Sequence, residues 1–211
     1  MQPASSRMGA VKPVSSKPLS GFPSPALEWL WNYLADVRRP QILLCGPVHW
    51  KTVDILLRRN VKLYLGDAIS PLLNDNPRFW DRTGEAPVFK LGDFMAEFPV
   101  VPPGTLTAAF CWHLFDLLPV GLVPQVIQEL MSLISPGGVL FFMLREPYLH
   151  SGADGQWWME DLKVIVSTRV ADRSFPNPVV TTREIEKVVP PGSLKVYLTR
   201  SGRREIIAQK K

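Results

Sequence analysis

The feature that most constrains the fold is a series of short apolar runs separated by segments with helical spacing. Between several of these runs, apolar residues recur every three or four positions, as Val53, Leu56 and Leu57 do. Continuous apolar strands that alternate with helices are typical of a parallel sheet covered on both faces. The sequence therefore predicts an α/β fold with a doubly wound, mostly parallel sheet, and it predicts strands at 41–45, 61–65, 87–91, 106–111 and 139–144.

The two ends of the chain differ from its middle. Residues 1–25 are rich in Ser and Pro and are predicted to be a flexible leader, so that the folded domain covers 26–211. Residues 194–209 have the pattern of an antiparallel hairpin. The segment 147–180 is too long for a plain connection, and we expect it to be an insertion or a lid.

The distribution of charge bears on possible partners. The net charge is +5, but the excess of basic residues lies in 1–25 and 195–211, while 26–194 carries more acidic than basic residues. A slightly acidic body does not favour nucleic-acid binding. The sequence shows neither a secretory signal nor a bilayer-spanning run. We expect a cytoplasmic protein with two buried, reduced cysteines, and the sequence leaves its oligomeric state unknown.

Polar or small residues follow the first four predicted strands. In an open parallel sheet, ligands bind at the carboxyl ends of the strands. Asp67 lies 21 positions after Gly46, which is the spacing at which an acid after the second strand binds ribose hydroxyls. The alternative is that the acids are turn or cap residues. The sequence therefore predicts a nucleotide-type crevice lined by Gly46, Asp67, Asp93, Trp112 and His113.

Over residues 26–211 the chain resembles the class I S-adenosylmethionine-dependent methyltransferases. The resemblance includes the turn at 135–138, the segment 111–118 and the closing hairpin. It implies a seven-stranded sheet whose last strand is antiparallel, and S-adenosylmethionine as the cofactor. It further implies that the ribose is bound by Asp67, the adenine by Asp93 and Phe94, and the methionine part by Gly46 with the backbone of Cys111, Trp112 and His113.

The first cofactor motif of that family departs from its usual pattern here. The family usually has an acid followed by Gly-x-Gly-x-Gly, whereas this chain has Leu44, Gly46, Val48 and Trp50 at the corresponding positions. Glycines there allow the backbone to approach the ligand closely.

Two hypotheses about function follow from the resemblance and from this departure. The favoured one is methyl transfer to a small-molecule acceptor, with His113 or Asp116 taking a proton. The other is a non-catalytic binding or scaffold protein that has lost the cofactor loop.

A metal site is a further alternative. If the first and fourth strands are neighbours, two thiolates and two imidazoles from Cys45, His49, Cys111 and His113 could surround a zinc ion. Their spacings match no familiar zinc signature. We therefore predict no metal, and we expect both cysteines to pack as small apolar groups.

Overall fold

The computed structural model describes residues 21–150, 155–168, 174–200 and 202–211. The helices are α1 (Pro25–Tyr33), α2 (Trp50–Leu57), α3 (Ile69–Leu73), α4 (Leu91–Met95), α5 (Leu114–Leu117), α6 (Val123–Leu133) and α7 (Thr182–Glu186). The strands are β1 (Phe22–Pro23), β2 (Gln41–Leu44), β3 (Lys62–Leu65), β4 (Trp80–Asp81), β5 (Val88–Phe89), β6 (Leu106–Phe110), β7 (Ile134–Arg145), β8 (Trp157–Met159), β9 (Val164–Ser167), β10 (Leu194–Leu198) and β11 (Arg203–Gln209). Within these residues, the helices are all too short or too polar to cross a membrane.

Six strands form the central sheet, in the order β10-β11-β7-β6-β2-β3. The strands β3, β2, β6 and β7 are parallel, while β11 is antiparallel to both of its neighbours. The middle strands are apolar on both faces, because helices and loops cover both sides of the sheet. This arrangement confirms the predicted Rossmann-like α/β class and the antiparallel C-terminal hairpin.

The run at 87–91 does not join the central sheet. Val88 and Phe89 pair instead with Asp81 and Trp80, in a separate two-stranded sheet. A strand that lies inside a covered parallel sheet needs apolar residues on both faces, and Val88 is 63% exposed. The prediction of a third strand in the main sheet is therefore wrong, and the described sheet has six strands rather than seven.

The predicted turn at 135–138 lies within β7 as a bulge. From the pair Leu106–Ile134 to the pair Ala108–Val139, β6 advances two residues and β7 advances five. Gly137 has a φ of +78°, a backbone conformation that glycine adopts without steric cost. The turn residues therefore bend the strand instead of preceding it.

The folded structure begins before residue 26. Phe22 and Pro23 pair antiparallel with β9, and Ser24 caps α1 by accepting a hydrogen bond from the backbone N–H of Leu27 (3.1 Å). The predicted end of the leader is therefore too far along the chain. Residues 1–20 of that leader lie outside the described residues.

The predicted insertion at 147–180 contributes two strands of a small sheet. Its strand order is β1-β9-β8. The backbone N–H of Met159 in β8 donates to Thr52 Oγ1 of α2 (2.9 Å), so this sheet packs against α2. Residues 151–154 and 169–173 of the insertion lie outside the described residues. A lid function remains a prediction.

A buried carboxylate connects the first helix to the last strand. Oε2 of Glu205 accepts hydrogen bonds from Ser24 Oγ (2.8 Å) and from the backbone N–H of Ala26 (3.1 Å). Burial raises the pKa of Glu205 to about 6, although these two hydrogen bonds oppose the rise. The folded protein therefore retains a proton on Glu205 at pH values where the unfolded chain has released it.

We expect this group to make the protein less stable as the pH rises from about 4.5 to about 6. A rise of this carboxyl pKa from 4.5 to about 6 corresponds to about 2 kcal/mol of unfolding free energy, which is lost once the pH exceeds the folded-state pKa. Urea unfolding at pH 4.5 and pH 7.5 measures the change. Glu205→Gln cannot titrate and should reduce this difference. An identical difference in the two proteins would contradict the assignment.

Candidate active site at the carboxyl ends of the strands

Protein side chains fill the space next to Gly46. This residue is the second after the end of β2 and is buried. A Cβ atom at this position would lie 2.9 Å from Ile69 Cδ1 and 3.0 Å from Trp112 Cδ1. Ile69 and Trp112 are 1% and 3% exposed. A side chain at this position would therefore require Ile69 or Trp112 to shift, whether or not a ligand also approaches Gly46.

The loop after Gly46 runs toward solvent and is partly covered by the small sheet. Val48 and Trp50 are 47% and 68% exposed. The ring of His49, at the N-cap of α2, stacks on Trp158 of β8 with centroids 4.4 Å apart. Lys51 of α2 and Glu160 form an ion pair next to this stack. The start of α2 therefore packs against the insertion, at the place where the resemblance would put the glycine-rich loop.

Asp67 determines how α3 begins. Its Oδ1 accepts hydrogen bonds from the backbone N–H groups of Ile69 (3.2 Å) and Ser70 (2.9 Å). These bonds satisfy two of the donors that a helix leaves without partners at its start. Asp67 thus has the capping role that the sequence left open, and that role also positions Ile69 against Gly46.

The two residues predicted to bind adenine have different environments. Asp93 is partly exposed in the first turn of α4. Phe94 has no exposed surface, and its ring packs against Phe79, Phe89 and Phe98 with centroids 5.6 to 5.7 Å away. An aromatic ring enclosed in this way supports the fold between β4 and α4. It does not form the wall of an open pocket.

Trp112 has an unusual backbone conformation at the end of β6. Its φ is +46°, in the left-handed region that disfavours residues with a Cβ atom. Its carbonyl accepts a hydrogen bond from the backbone N–H of Met143 (2.6 Å), and its ring packs against Phe110 and Phe141. These contacts hold Trp112 over Gly46. Cys111 and His113, on either side of it, are also buried.

Asp116 lies in a buried ion-pair network. Its carboxylate accepts hydrogen bonds from Arg203 Nη1 (2.7 Å) and from the backbone N–H of Arg145 (3.1 and 3.2 Å). The guanidinium groups of Arg203 and Arg145 stack on the rings of Trp157 and Phe175 respectively. Burial raises the pKa of Asp116, and the positive charges of the two arginines oppose that rise. This geometry gives the carboxylate a structural role, connecting α5 to β7 and β11.

His113 is the second residue predicted to accept a proton. It is 1% exposed, and its ring lies 6.1 Å from the ring of Trp157. Thus both predicted proton acceptors, His113 and Asp116, are buried. The sequence pattern missed Arg145 and Arg203. Arg145 could have been noticed as a charged residue that directly follows a continuous apolar run, whereas Arg203 lies beside other charged residues and carries no such signal.

A cavity lies to one side of these residues. Its volume is about 330 Å³, and it is formed by α3, the end of α5 and residues 174–177. Its apolar lining includes Leu72, Leu73, Trp80 and Leu117, and its polar lining consists of Asp75, Ser174 and Asn177. The cavity is large enough for a small molecule, and its described lining contains none of the predicted cofactor-binding residues.

The described residues do not form the alternative zinc site. No cluster of three or more potential metal ligands occurs among them, and His49 instead stacks on Trp158. Cys45 and Cys111 are free and buried, as predicted.

The prediction that S-adenosylmethionine binds here can also be compared with the packing. Its methionine part would approach Gly46, beside which Ile69 and Trp112 are packed, so this part of the cofactor does not fit unless those two side chains move.

Comparisons with known proteins point to the fold alone. No family model and no curated protein matches the chain. A Burkholderia thailandensis 1,6-didemethyltoxoflavin-N1-methyltransferase, solved with S-adenosylhomocysteine, has a TM-score of 0.46 at 13% identity, over 89% of this chain and 77% of that one. A Methanosarcina mazei S-adenosylmethionine-dependent methyltransferase has a TM-score of 0.47 at 15% identity, over 89% and 97% of the two chains. Because these likenesses are weak, the fold class rests on the strand order described above.

Proposed function

We propose that this chain is a non-catalytic binding protein built on a methyltransferase-like fold. The observation that carries this proposal is the packing of Ile69 and Trp112 against Gly46. Both side chains are buried, and β8 contacts the start of α2 through the stack of His49 on Trp158 and the hydrogen bond from Met159 to Thr52. The lost glycines at Val48 and Trp50 are consistent with a loop that no longer has to cradle a cofactor.

The cavity beside α3 and α5 is the candidate binding site. Its lining combines apolar side chains and an indole ring with a carboxylate, a hydroxyl group and an amide side chain. Such a lining suits a small molecule that has an apolar or aromatic part and several polar groups. In this proposal Asp67 shapes the site indirectly, because it fixes the start of the helix that carries Leu72 and Leu73.

S-adenosylmethionine-dependent methyl transfer is the second candidate function. The observation that favours it is the position of Asp67, which follows β3 at the carboxyl edge of the sheet with its second carboxylate oxygen, Oδ2, not used in the helix cap. In this candidate Asp67 would bind the ribose, and the acceptor would occupy the cavity. Ile69 and Trp112 would have to move before the methionine part could enter.

Melting temperatures measured with S-adenosylmethionine and with S-adenosylhomocysteine distinguish the two candidates. We expect no change at millimolar concentrations of either compound. A ligand present at about 100 times its dissociation constant would add about 2.7 kcal/mol, which for a chain of this size is a rise of roughly 5–10 °C. Such a rise would overturn the non-catalytic proposal.

Asp67→Ala is the matched variant for this measurement. The loss of the helix cap should lower the stability of the unliganded protein by about 1 kcal/mol. If a ligand-induced rise occurs in the wild type and disappears in this variant, the strand-end site is responsible and methyl transfer becomes the better candidate. A rise that is retained in the variant would place the ligand elsewhere.

A further inference from the structure

Two buried thiols meet where the adjacent strands β2 and β6 end. Leu44 and Phe110 are register partners in the parallel pair, so the residues that follow them, Cys45 and Cys111, also lie side by side. Their Sγ atoms are 3.5 Å apart, with the Cys111 thiol donating toward the sulfur of Cys45. We propose that this pair is a redox modification site, at which the two thiols are reversibly joined as an intramolecular disulfide.

The backbone already has a suitable separation for this bond. Neighbouring strands lie about 4.8 Å apart, and disulfides span Cα separations of roughly 4.4–6.8 Å. The two sulfur atoms must approach from 3.5 Å to about 2.05 Å, which side-chain rotation can supply. Bond formation therefore does not require the strands to separate or slide.

The oxidant we infer is a small hydroperoxide, since both thiols lack exposed surface. The sulfur of Cys45 attacks one peroxide oxygen, its proton leaves with the other, and one water and a sulfenic acid at Cys45 result. The sulfur of Cys111 then attacks Cys45 Sγ, and its proton leaves with the displaced hydroxyl as a second water. Two thiols are oxidised to one disulfide, and hydrogen peroxide is reduced to two molecules of water.

The hydrogen bond between the thiols supports this order of events. Cys111 donates to Cys45, so Cys45 is the sulfur that can attack while Cys111 retains its proton. Burial raises the pKa of the Cys111 thiol well above its ordinary value, which should make the second step faster as the pH rises. The cross-link would connect the residues just before Gly46 and Trp112, and so hold this edge of the sheet closed.

Thiol counting and intact mass test the proposal, because the chain contains only these two cysteines. After brief treatment with hydrogen peroxide, the folded protein should lose both free thiols, form no disulfide-linked dimer and become about 2 Da lighter. Proteolysis should then yield one peptide pair joined through Cys45 and Cys111. The melting temperature should rise by roughly 5–15 °C and return to its starting value with dithiothreitol.

Single serine variants test the roles of the two thiols. Cys111→Ser should accumulate a sulfenic acid at Cys45 that dimedone traps, whereas Cys45→Ser should give little trapped product under the same conditions. Unreactive thiols in the folded wild type, a mass increase from added oxygen, or a disulfide-linked dimer would each overturn the proposal. These three outcomes are read on the wild type and do not depend on the folding of the variants.

Discussion

Replacing Asp116 with alanine is expected to lower the free energy of unfolding by about 3–5 kcal/mol, because the change leaves buried positive charge without its partner. Arg203 and Arg145 are 2% and 5% exposed. The guanidinium of Arg203 donates to this carboxylate, whereas Arg145 donates its backbone N–H and places its guanidinium Nε 3.9 Å from the carboxylate. Buried guanidinium groups cannot readily lose their protons. The protein must therefore either rearrange around the two arginines or unfold more readily.

Urea unfolding of the purified variant measures this loss. Asp75→Ala is the matched control, because it also removes a carboxylate that accepts from an arginine, but on the surface, where Asp75 pairs with Arg82. Exposed ion pairs contribute little to stability, so the control should unfold close to the wild type. If Asp116→Ala is as stable as the control, the carboxylate has no structural role. The prediction that Asp116 acts as a catalytic base would then be the better explanation.

Substitution of Trp112 is expected to give the second large loss of stability. Here the glycine variant should be more stable than the alanine variant, the reverse of the usual order. Trp112→Ala should cost about 3–5 kcal/mol, because a buried indole ring is removed. Trp112→Gly should be more stable than Trp112→Ala by about 1–2 kcal/mol, since the φ of +46° suits glycine. At ordinary positions glycine is the less stable of the two.

The comparison separates the ring's packing from the backbone strain. Trp112→Phe retains an aromatic ring beside Phe110 and Phe141 and should lose less stability than either small variant. Denaturation curves of the three variants under one condition give the order directly. An alanine variant as stable as the glycine variant would show that the left-handed backbone carries no cost there.

These two predictions also bear on function. A catalytic pocket usually holds its proton acceptor where substrate can reach it, whereas Asp116 is committed to two arginines. In the same way, Trp112 and Ile69 occupy space that a cofactor would need. Both observations favour the proposal of a non-catalytic binding protein over that of a methyltransferase. Both concern side-chain packing, and the stabilities of the variants measure that packing.

The sequence by itself determined the local structure. The strands at 41–45, 106–111 and 139–144 could be predicted because residues buried on both faces are mostly apolar. The strand at 61–65 lies at the edge of the sheet, and it could be predicted from a short run that is apolar apart from Lys62. The C-terminal hairpin and the capping box that begins α7 at Thr181 are likewise encoded in residues that are neighbours in the chain. Periodicity and turn residues act over a few positions, so they are visible in one sequence.

Only the tertiary structure decided what the strand-end residues do. Asp116 meets Arg145 and Arg203 from 29 and 87 positions away, and nothing local marks those partners. Similarly, Gly46 is enclosed by Ile69 and Trp112, which lie in the segments that follow two other strands. The run at 87–91 had the composition of a strand, but its place in the sheet depended on burial by distant residues. Contacts of this kind are fixed by how the chain packs in three dimensions, because their energy comes from burial and charge pairing and not from local backbone preference.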